Sequence, residues 1–221
     1  MINCQADTVP TVIYLGGDAY PDEADCEQRL ASVVAESLGF QFVSQRHFIC
    51  VGEDESGTWK AIPLRLARAK EFIATLISPV VLIGRSSGGR IASLLADMPQ
   101  VKAIICMAYP FQNPERPPEE ERFIHLASIT TPTLIVQGVK DNYGGLRITR
   151  QYSFSQAVEL FFLDLCHGFG PSDSQLRLIT LRIKRFLNFF VSSKSFIKIL
   201  ALFGSNFLSI LIVSERLLIN S

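Results

Sequence analysis

The sequence predicts an α/β fold in which a mostly parallel sheet of about six strands is covered by helices on both faces. Short apolar runs recur along the chain and lack the alternation of a half-exposed strand, which is typical of strands buried on both faces. Longer amphipathic segments separate these runs, as in a doubly wound sheet. Because ligands bind at the carboxyl ends of such strands, functional residues are expected just beyond them.

The short apolar runs define the predicted strands. The first run is stopped by Gly16 and Gly17, which favour a turn directly after the strand. In chain order the predicted strands are Thr11–Leu15, Phe40–Val43, Val80–Ile83, Val101–Met107, Thr133–Gln137 and Val158–Leu163.

Apolar residues at helical spacing define the predicted helices. The first of these helices has Asp22 as a cap and Gly39 as a stop signal. The predicted helices are Glu23–Leu38, Trp59–Leu76, Ile91–Ala96 and Gln175–Phe190. The Pro-rich segment Pro110–Glu121 predicts a loop that lies over one edge of the site.

Composition excludes several classes of function. The 221 residues suit one domain, or one domain with an appendage, and 48% of them are hydrophobic. Lys and Arg number 21 and so do Asp and Glu, so no basic excess favours nucleic acid as a partner. The five cysteines form no CxxC pair, which argues against a zinc or redox site. Free thiols and an N-terminus without a secretory pattern predict a cytoplasmic location.

The segment Gly84–Gly88 reads G-R-S-S-G, the G-x-S-x-G pattern between a predicted strand and a helix. The turn at the central serine is sharp, so its neighbours must be small. The pattern predicts Ser86 as a nucleophile that projects above the sheet, with the backbone N–H of Ser87 facing an oxyanion. The alternative is a Gly-rich turn without chemistry.

A serine nucleophile needs a base, and the chain contains three histidines. His167 follows the last predicted strand and precedes the last helix, so it is expected at the same edge of the sheet as Ser86. His47 and His125 fit surface or structural positions better. His167 is therefore the predicted base, the alternative being a structural histidine here as well.

A carboxylate should orient the histidine and stabilise its cation. Asp141 lies four residues beyond the strand Thr133–Gln137 and completes the chain order of serine, acid and histidine that is typical of G-x-S-x-G enzymes. Asp164 is the rival, although it precedes His167 by only three residues. Asp141 is the predicted acid, with a solvated loop carboxylate as the alternative.

The loop after the first strand is expected to supply a second oxyanion donor, because Gly16 and Gly17 let the backbone approach a tetrahedral intermediate closely. The donor is the N–H of either Gly17 or Asp18, and the sequence does not decide between them. The alternative is a simple tight turn.

These segments resemble the small α/β-hydrolases of the dienelactone-hydrolase-like kind. More narrowly, the chain resembles the compact family that includes testis-expressed protein 30 and the hydrolase-like domain of a chromatin acetyltransferase-complex subunit. The likeness covers residues 10–190 and implies a compact α/β-hydrolase fold with a Ser86–Asp141–His167 triad. The matching segments are VLIGRSSGGRIAS (81–93), YPFQNPERPPEEERFIHL (109–126), TPTLIVQGVKDNYG (131–144) and CHGF (166–169).

The chain departs from the family's pattern in the oxyanion loop and the elbow. Leu15 stands where many members have a histidine, and Ser87 stands where a methionine or another bulky residue is commoner. The first strand corresponds to the one that is usually third, and only the loop 108–124 offers a cover for the site.

Residues 194–221 form an apolar tail outside the hydrolase-like residues 1–193, and the tail is predicted to be helical. Its uncharged stretch, Ile199–Ser214, has 16 residues, and about 20 are needed to span a bilayer as a helix. Three interpretations stay open. The tail packs on the body or on a second copy, it lies in or weakly spans a membrane, or it has no selected role.

The predicted function is hydrolysis of a small to medium ester or thioester through an acyl-enzyme, without a metal or organic cofactor. The alternative is a non-catalytic hydrolase-like scaffold that binds a protein partner through the tail or the loop 108–124. Acyl transfer to an acceptor other than water would use the same triad. The physiological substrate and the oligomeric state do not follow from the sequence.

Overall fold

The computed structural model describes residues 9–20, 25–49 and 61–203. Their strands form a six-stranded sheet in which every neighbouring pair is parallel. This confirms the predicted fold class. The strands are β1 (Thr11–Leu15), β2 (Gln41–Ser44), β3 (Val80–Arg85), β4 (Val101–Met107), β5 (Thr133–Gly138) and β6 (Val158–Leu163).

α-Helices lie in most of the crossovers between the parallel strands, and one more follows β6. They are α1 (Asp25–Ser37), α2 (Ile62–Ala74), α3 (Ser87–Leu94), α4 (Ile148–Gln151) and α5 (Asp173–Phe203). Short 3-10 helices cover Gln45–His47, Glu120–Arg122 and Ile124–Ala127. The segment predicted as a loop contains no strand or α-helix between Pro110 and Glu121.

The strand order β2-β1-β3-β4-β5-β6 reverses its direction between β1 and β3. These two strands pair in register from Thr11↔Val80 to Leu15↔Gly84, so they end side by side. The crevice at such a reversal is where doubly wound sheets bind ligands. Gly16 follows β1 here and Ser86 follows β3.

Burial is greatest in the central strands. Every residue of β1 and β5 is buried, which explains their continuous apolar runs. β2 and β6 lie at the two edges of the sheet and are more exposed, although the run in β6 is equally apolar. The sequence pattern does not reveal which strands lie at an edge.

The predicted helices differ from the observed ones mainly at their ends. α3 begins at Ser87, whereas the predicted helix begins at Ile91. The prediction starts late because glycine is a poor helix former, yet Gly88 and Gly89 are both helical here. The short helix α4 was not predicted. The predicted helix Trp59–Leu76 corresponds to α2, which begins at Ile62. Trp59, at the N-terminal end of that prediction, lies outside the described residues.

The chain divides into two compact units between Ile183 and Lys184, within α5. Residues 194–203 continue α5, whereas the rest of the apolar tail lies outside the described residues. The proposed boundary between 193 and 194 stays a prediction. In the described part of the chain, no helix is long and apolar enough to cross a membrane.

Three of the five cysteines can be described. Cys26, Cys106 and Cys166 are free thiols. Cys4 and Cys50 lie outside the described residues.

Candidate active site

Ser86 lies in the turn that joins β3 to α3, within the elbow Gly84–Gly88. Its backbone has φ 50° and ψ −120°, a conformation that costs free energy in a residue with a side chain. The N–H of Ser86 donates to the Met107 carbonyl over 2.9 Å, which fixes the turn against the end of β4. Such strain at the carboxyl end of a central strand is typical of a functional residue.

Gly88 allows the elbow to pack against the end of β1. A Cβ added at Gly88 would lie 2.1 Å from the carbonyl oxygen of Leu15 and 2.5 Å from that of Gly16. Both contacts are with backbone atoms, which cannot rotate aside as a side chain can. The glycine therefore brings the loop after β1 next to Ser86.

We expect Gly88→Ala to lower the free energy of unfolding by about 1–3 kcal/mol, because the added methyl group forces β1 and α3 apart. Urea unfolding measures the change. Gly170→Ala is the matched control, since no atom lies within 4 Å of a Cβ added there. Equal unfolding midpoints for Gly88→Ala and Gly170→Ala would contradict this packing.

The structure brings Ser86, His167 and Asp141 together in one chain of hydrogen bonds. Ser86 Oγ lies 3.1 Å from His167 Nε2. His167 Nδ1 lies 3.0 Å from each carboxylate oxygen of Asp141. Ser86 is 7% exposed and Asp141 is 3% exposed. The three hydrogen-bonded side chains are therefore shielded from water except at the imidazole. A serine, a base and a group that orients the base can activate the serine as a nucleophile.

Asp141 is a buried carboxylate whose oxygens all have donors. Gln137 Nε2 donates to Oδ2 over 2.8 Å, and the Tyr143 N–H donates to Oδ1 over 2.8 Å. The Gln137 side chain is itself held by both the N–H and the carbonyl of Tyr109. These bonds fix the carboxylate in the orientation that faces His167.

Gln137 was not predicted as a site residue. In sequence it is the last residue of an apolar run, and the only signal is a polar amide at the end of a fully buried strand. A buried amide needs partners for its donors and acceptor, which points to a hydrogen-bonding role. The sequence does not identify those partners.

Tyr143 covers the imidazole of His167. The two rings are stacked, with centroids 4.0 Å apart and planes inclined by 27°. Together with the bond from its N–H to Asp141, this residue contacts both the base and the carboxylate that orients it. The stacking restricts the rotation of the imidazole and excludes water from one of its faces.

We expect Tyr143→Ala to lower kcat/KM for ester hydrolysis by about 10-fold, because a loosened imidazole is misplaced relative to Ser86. Tyr143→Phe is the control, since it keeps the stacked ring and the backbone bond. Steady-state kinetics on both variants test the role of the ring. A Phe variant as slow as the Ala variant would assign the effect to the hydroxyl instead.

The rival residues lie elsewhere. His47 Nδ1 contacts the Ser44 carbonyl at 3.2 Å, and His125 Nε2 contacts Ser93 Oγ at 2.8 Å. Burial, with a contribution from Arg90, lowers the pKa of His125 and favours its neutral form. Asp164 is exposed and forms an ion pair with Lys140 at 2.7 Å.

Two backbone N–H groups lie beside Ser86 as candidate oxyanion donors. Ser87 is the first residue of α3, and no described residue accepts from its N–H. A Cβ added at Gly17 would lie 3.5 Å from Ser86 Cβ, and the Gly17 N–H also has no acceptor among the described residues. The side chain of Asp18 accepts a hydrogen bond from Ser87 Oγ over 2.6 Å and is otherwise largely exposed.

Arg85 connects the elbow to two neighbouring elements. Its Nε forms an ion pair with Glu27 of α1 at 3.2 Å, and one Nη donates to the His167 carbonyl over 3.0 Å. The second bond fixes the backbone that carries His167. Arg85 was not predicted, because the G-x-S-x-G pattern leaves its position unspecified.

The described residues contain no cluster of three or more His, Cys, Asp or Glu side chains that could hold a metal ion.

The alpha/beta hydrolase domain family matches residues 29–187, which include the elbow, Asp141 and His167. The chain belongs to this family. Membership indicates hydrolytic activity for this alpha/beta hydrolase and agrees with the sheet and the elbow described above. No curated protein has significant sequence similarity to the chain.

Solved structures share the fold at low sequence identity. The esterase Pf2001 of Pyrococcus furiosus is 15% identical with a TM-score of 0.62, over 82% of this chain and 83% of that chain. A pyrethroid hydrolase from Sphingobium faniae is 16% identical with a TM-score of 0.55, over 82% and 98%. An alpha-beta serine hydrolase homologue from Coxiella burnetii is 20% identical with a TM-score of 0.54, over 80% and 84%.

Proposed function

We propose that this alpha/beta hydrolase is a serine hydrolase that cleaves a small to medium ester or thioester through an acyl-enzyme. The observation that carries the proposal is the hydrogen-bonded chain from Ser86 Oγ through His167 to Asp141, at 3.1 and 3.0 Å. A scaffold without catalysis would not require this chain. The geometry therefore favours the enzyme over the scaffold.

In the first half of the reaction, His167 Nε2 removes the proton from Ser86 Oγ as the oxygen attacks the carbonyl carbon of the substrate. Asp141 accepts from Nδ1–H, holds the tautomer with a free Nε2 and stabilises the imidazolium cation. When the tetrahedral intermediate collapses, the C–O or C–S bond breaks and His167 returns the proton to the leaving group. The acyl group then remains on Ser86.

In the second half, water takes the place of the leaving group. His167 removes a proton from the water, the hydroxide attacks the acyl carbon, and the proton passes to Ser86 Oγ as the acid departs. An alcohol or thiol in place of water would give acyl transfer with the same residues. Both tetrahedral intermediates carry an oxyanion, for which the N–H groups of Ser87 and of Gly17 or Asp18 are the proposed donors.

The narrower relationship to the dienelactone-hydrolase-like proteins and to the testis-expressed protein 30 family is part of the proposal. The segments 81–93 and 131–144 support it, because they carry the serine and the acid in that family's pattern. The esterase Pf2001 among the structural neighbours supports an ester as the substrate.

A cytoplasmic location is proposed from the free thiols Cys26, Cys106 and Cys166. Residues 194–221 are proposed to associate with a membrane surface or a second copy.

The test is hydrolysis of 4-nitrophenyl esters and acyl-coenzyme A thioesters of increasing chain length by the full chain. We expect turnover of short and medium chains, with an initial burst of one 4-nitrophenolate per enzyme if deacylation is slow. Ser86→Ala is the matched control for adventitious hydrolysis. A folded wild-type protein no faster than Ser86→Ala on every substrate would overturn the proposal and favour the scaffold.

A further inference from the structure

A buried arginine lies beneath the loop that follows β1. Arg65 belongs to α2, and its side chain is 1% exposed. Its guanidinium donates to the carbonyl of Gly16, to Ser87 Oγ over 2.9 Å and to Gln45 Oε1 over 3.3 Å. One cation therefore contacts both halves of the proposed oxyanion site, the β1 loop and the elbow.

Gly16 is fixed on both sides by this cluster. Its N–H donates to Gln45 Oε1 over 3.0 Å, and its carbonyl accepts from Arg65 Nη2. A peptide group is planar and trans, so its C=O and N–H point in opposite directions. Since the Gly16 carbonyl points at Arg65, the N–H of the same peptide group, that of Gly17, points away from it.

The Gly17 N–H is thus presented on the side of the loop opposite the buried arginine. Gly17 is also the loop residue next to the serine, since a Cβ added there would lie 3.5 Å from Ser86 Cβ. The Gly17 carbonyl accepts a hydrogen bond from the Tyr20 N–H over 3.2 Å. These contacts favour Gly17 over Asp18 as the donor from this loop.

Burying the Arg65 guanidinium in this cluster costs free energy of folding. Burial lowers the pKa of the Arg65 guanidinium, although the Asp18 carboxylate at 3.4 Å opposes this effect and an arginine stays charged. Arg65 Nε and Gln45 Nε2 are buried without a hydrogen-bond partner in the described part of the chain. A buried cation with incomplete hydrogen bonding contributes little to the stability of the fold. Its presence beside Ser87 therefore favours a role in the site.

We infer that Arg65 is the positioning residue of the oxyanion site: it holds the Gly16–Gly17 peptide so that the Gly17 N–H faces the oxyanion, and it fixes the elbow through Ser87. The inference rests on the proposed function. Leu15 stands where many members of the resembled family have a histidine, and here a side chain from α2 contacts this loop. Arg65 does not touch the substrate and acts through the backbone of Gly17 and the side chain of Ser87.

The test is Arg65→Lys in the full chain, which keeps the positive charge but replaces the two nitrogens that bond Ser87 and Gly16 by a single one. We expect kcat for ester hydrolysis to fall by about 100-fold, the effect of losing one oxyanion donor. KM should stay within about two-fold, because the donor acts in the transition state. Affinity for a trifluoromethyl ketone, whose adduct with Ser86 carries an oxyanion, should fall by a similar factor.

Arg68→Lys is the matched control, since Arg68 lies on the same helix, is exposed and pairs only with Glu71 among the described residues. We expect wild-type kinetics for it. Circular dichroism and urea unfolding establish that both variants fold. A folded Arg65→Lys with wild-type kcat and wild-type affinity for the ketone would overturn the inference, and so would a loss expressed only in KM.

If Arg65→Lys does not fold, Ser87→Ala decides. It removes the side chain that Arg65 contacts on the elbow but keeps the Ser87 N–H, and we expect kcat to fall about 10-fold at unchanged KM. Wild-type kcat in Ser87→Ala would then overturn the inference. Failure of the proposed function looks different, because the wild-type protein itself would neither hydrolyse esters nor form the ketone adduct.

Discussion

Replacing Ser86 by alanine is expected to lower kcat for ester hydrolysis by at least about 10⁵-fold, because no other group can form the acyl-enzyme. The fold should persist, since the change removes one oxygen atom whose hydrogen-bond partner, His167, is already held by Asp141. Steady-state kinetics on an ester that the wild-type protein cleaves provide the measurement, with circular dichroism as the check on folding.

Ser128→Ala is the control for that experiment, because Ser128 is exposed and its hydroxyl bonds only to the carbonyl of His125 among the described residues. It should keep wild-type kcat and KM. Substantial turnover by pure, folded Ser86→Ala would exclude the acyl-enzyme mechanism.

Replacing Asp141 by asparagine is expected to lower kcat by about 10⁴-fold. The asparagine is nearly isosteric, but one carboxylate oxygen becomes an NH₂ group that donates rather than accepts. The Gln137 amide, the Tyr143 N–H and His167 Nδ1–H would then compete for a single oxygen, and the imidazole would adopt the wrong tautomer or orientation. The same ester assay measures the effect.

Asp164→Asn is the matched control for Asp141→Asn. Asp164 was the rival acid in the sequence, but it is exposed and paired with Lys140. We expect its loss to change kcat by less than about two-fold, since surface ion pairs contribute little. A larger loss in Asp164→Asn than in Asp141→Asn would mean that the acid has been assigned wrongly.

The position of the site follows from the sequence because Ser86, Asp141 and His167 each come after an apolar run that forms a strand. The carboxyl ends of parallel strands share one edge of the sheet, so chain order and strand prediction together bring the three side chains close. The choice of Asp141 over Asp164 depends on chain order, since Asp141 completes the order of serine, acid and histidine, whereas Asp164 precedes His167 by only three residues.

The supporting residues could not be predicted in this way. Arg65 resembles any polar residue of an amphipathic helix, yet its contact with Gly16 joins residues 49 positions apart. Gln137 acts through its side-chain amide, and Tyr143 acts through its backbone N–H and its stacked ring. The sequence does not identify the partners of either residue. Local periodicity predicts which segments form elements, but contacts between distant segments depend on how those elements pack.

Element ends were the least predictable part of the fold. The first turn of α3 contains Gly88 and Gly89, which in the sequence favour a break in the helix. The structure explains Gly88 by the close approach of the carbonyl oxygens of Leu15 and Gly16. The sequence does not predict the edge position of β6 either, because its apolar residues suit a central strand.

The most direct test of the central claim is labelling of the full chain by a fluorophosphonate, with the modified residue located by peptide mass spectrometry. An activated serine reacts with the probe, whereas an ordinary serine does not. We predict that the wild-type protein is labelled at Ser86 and that Ser86→Ala and His167→Ala are not labelled. A folded wild-type protein that stays unlabelled, or is labelled at another residue, would contradict the account.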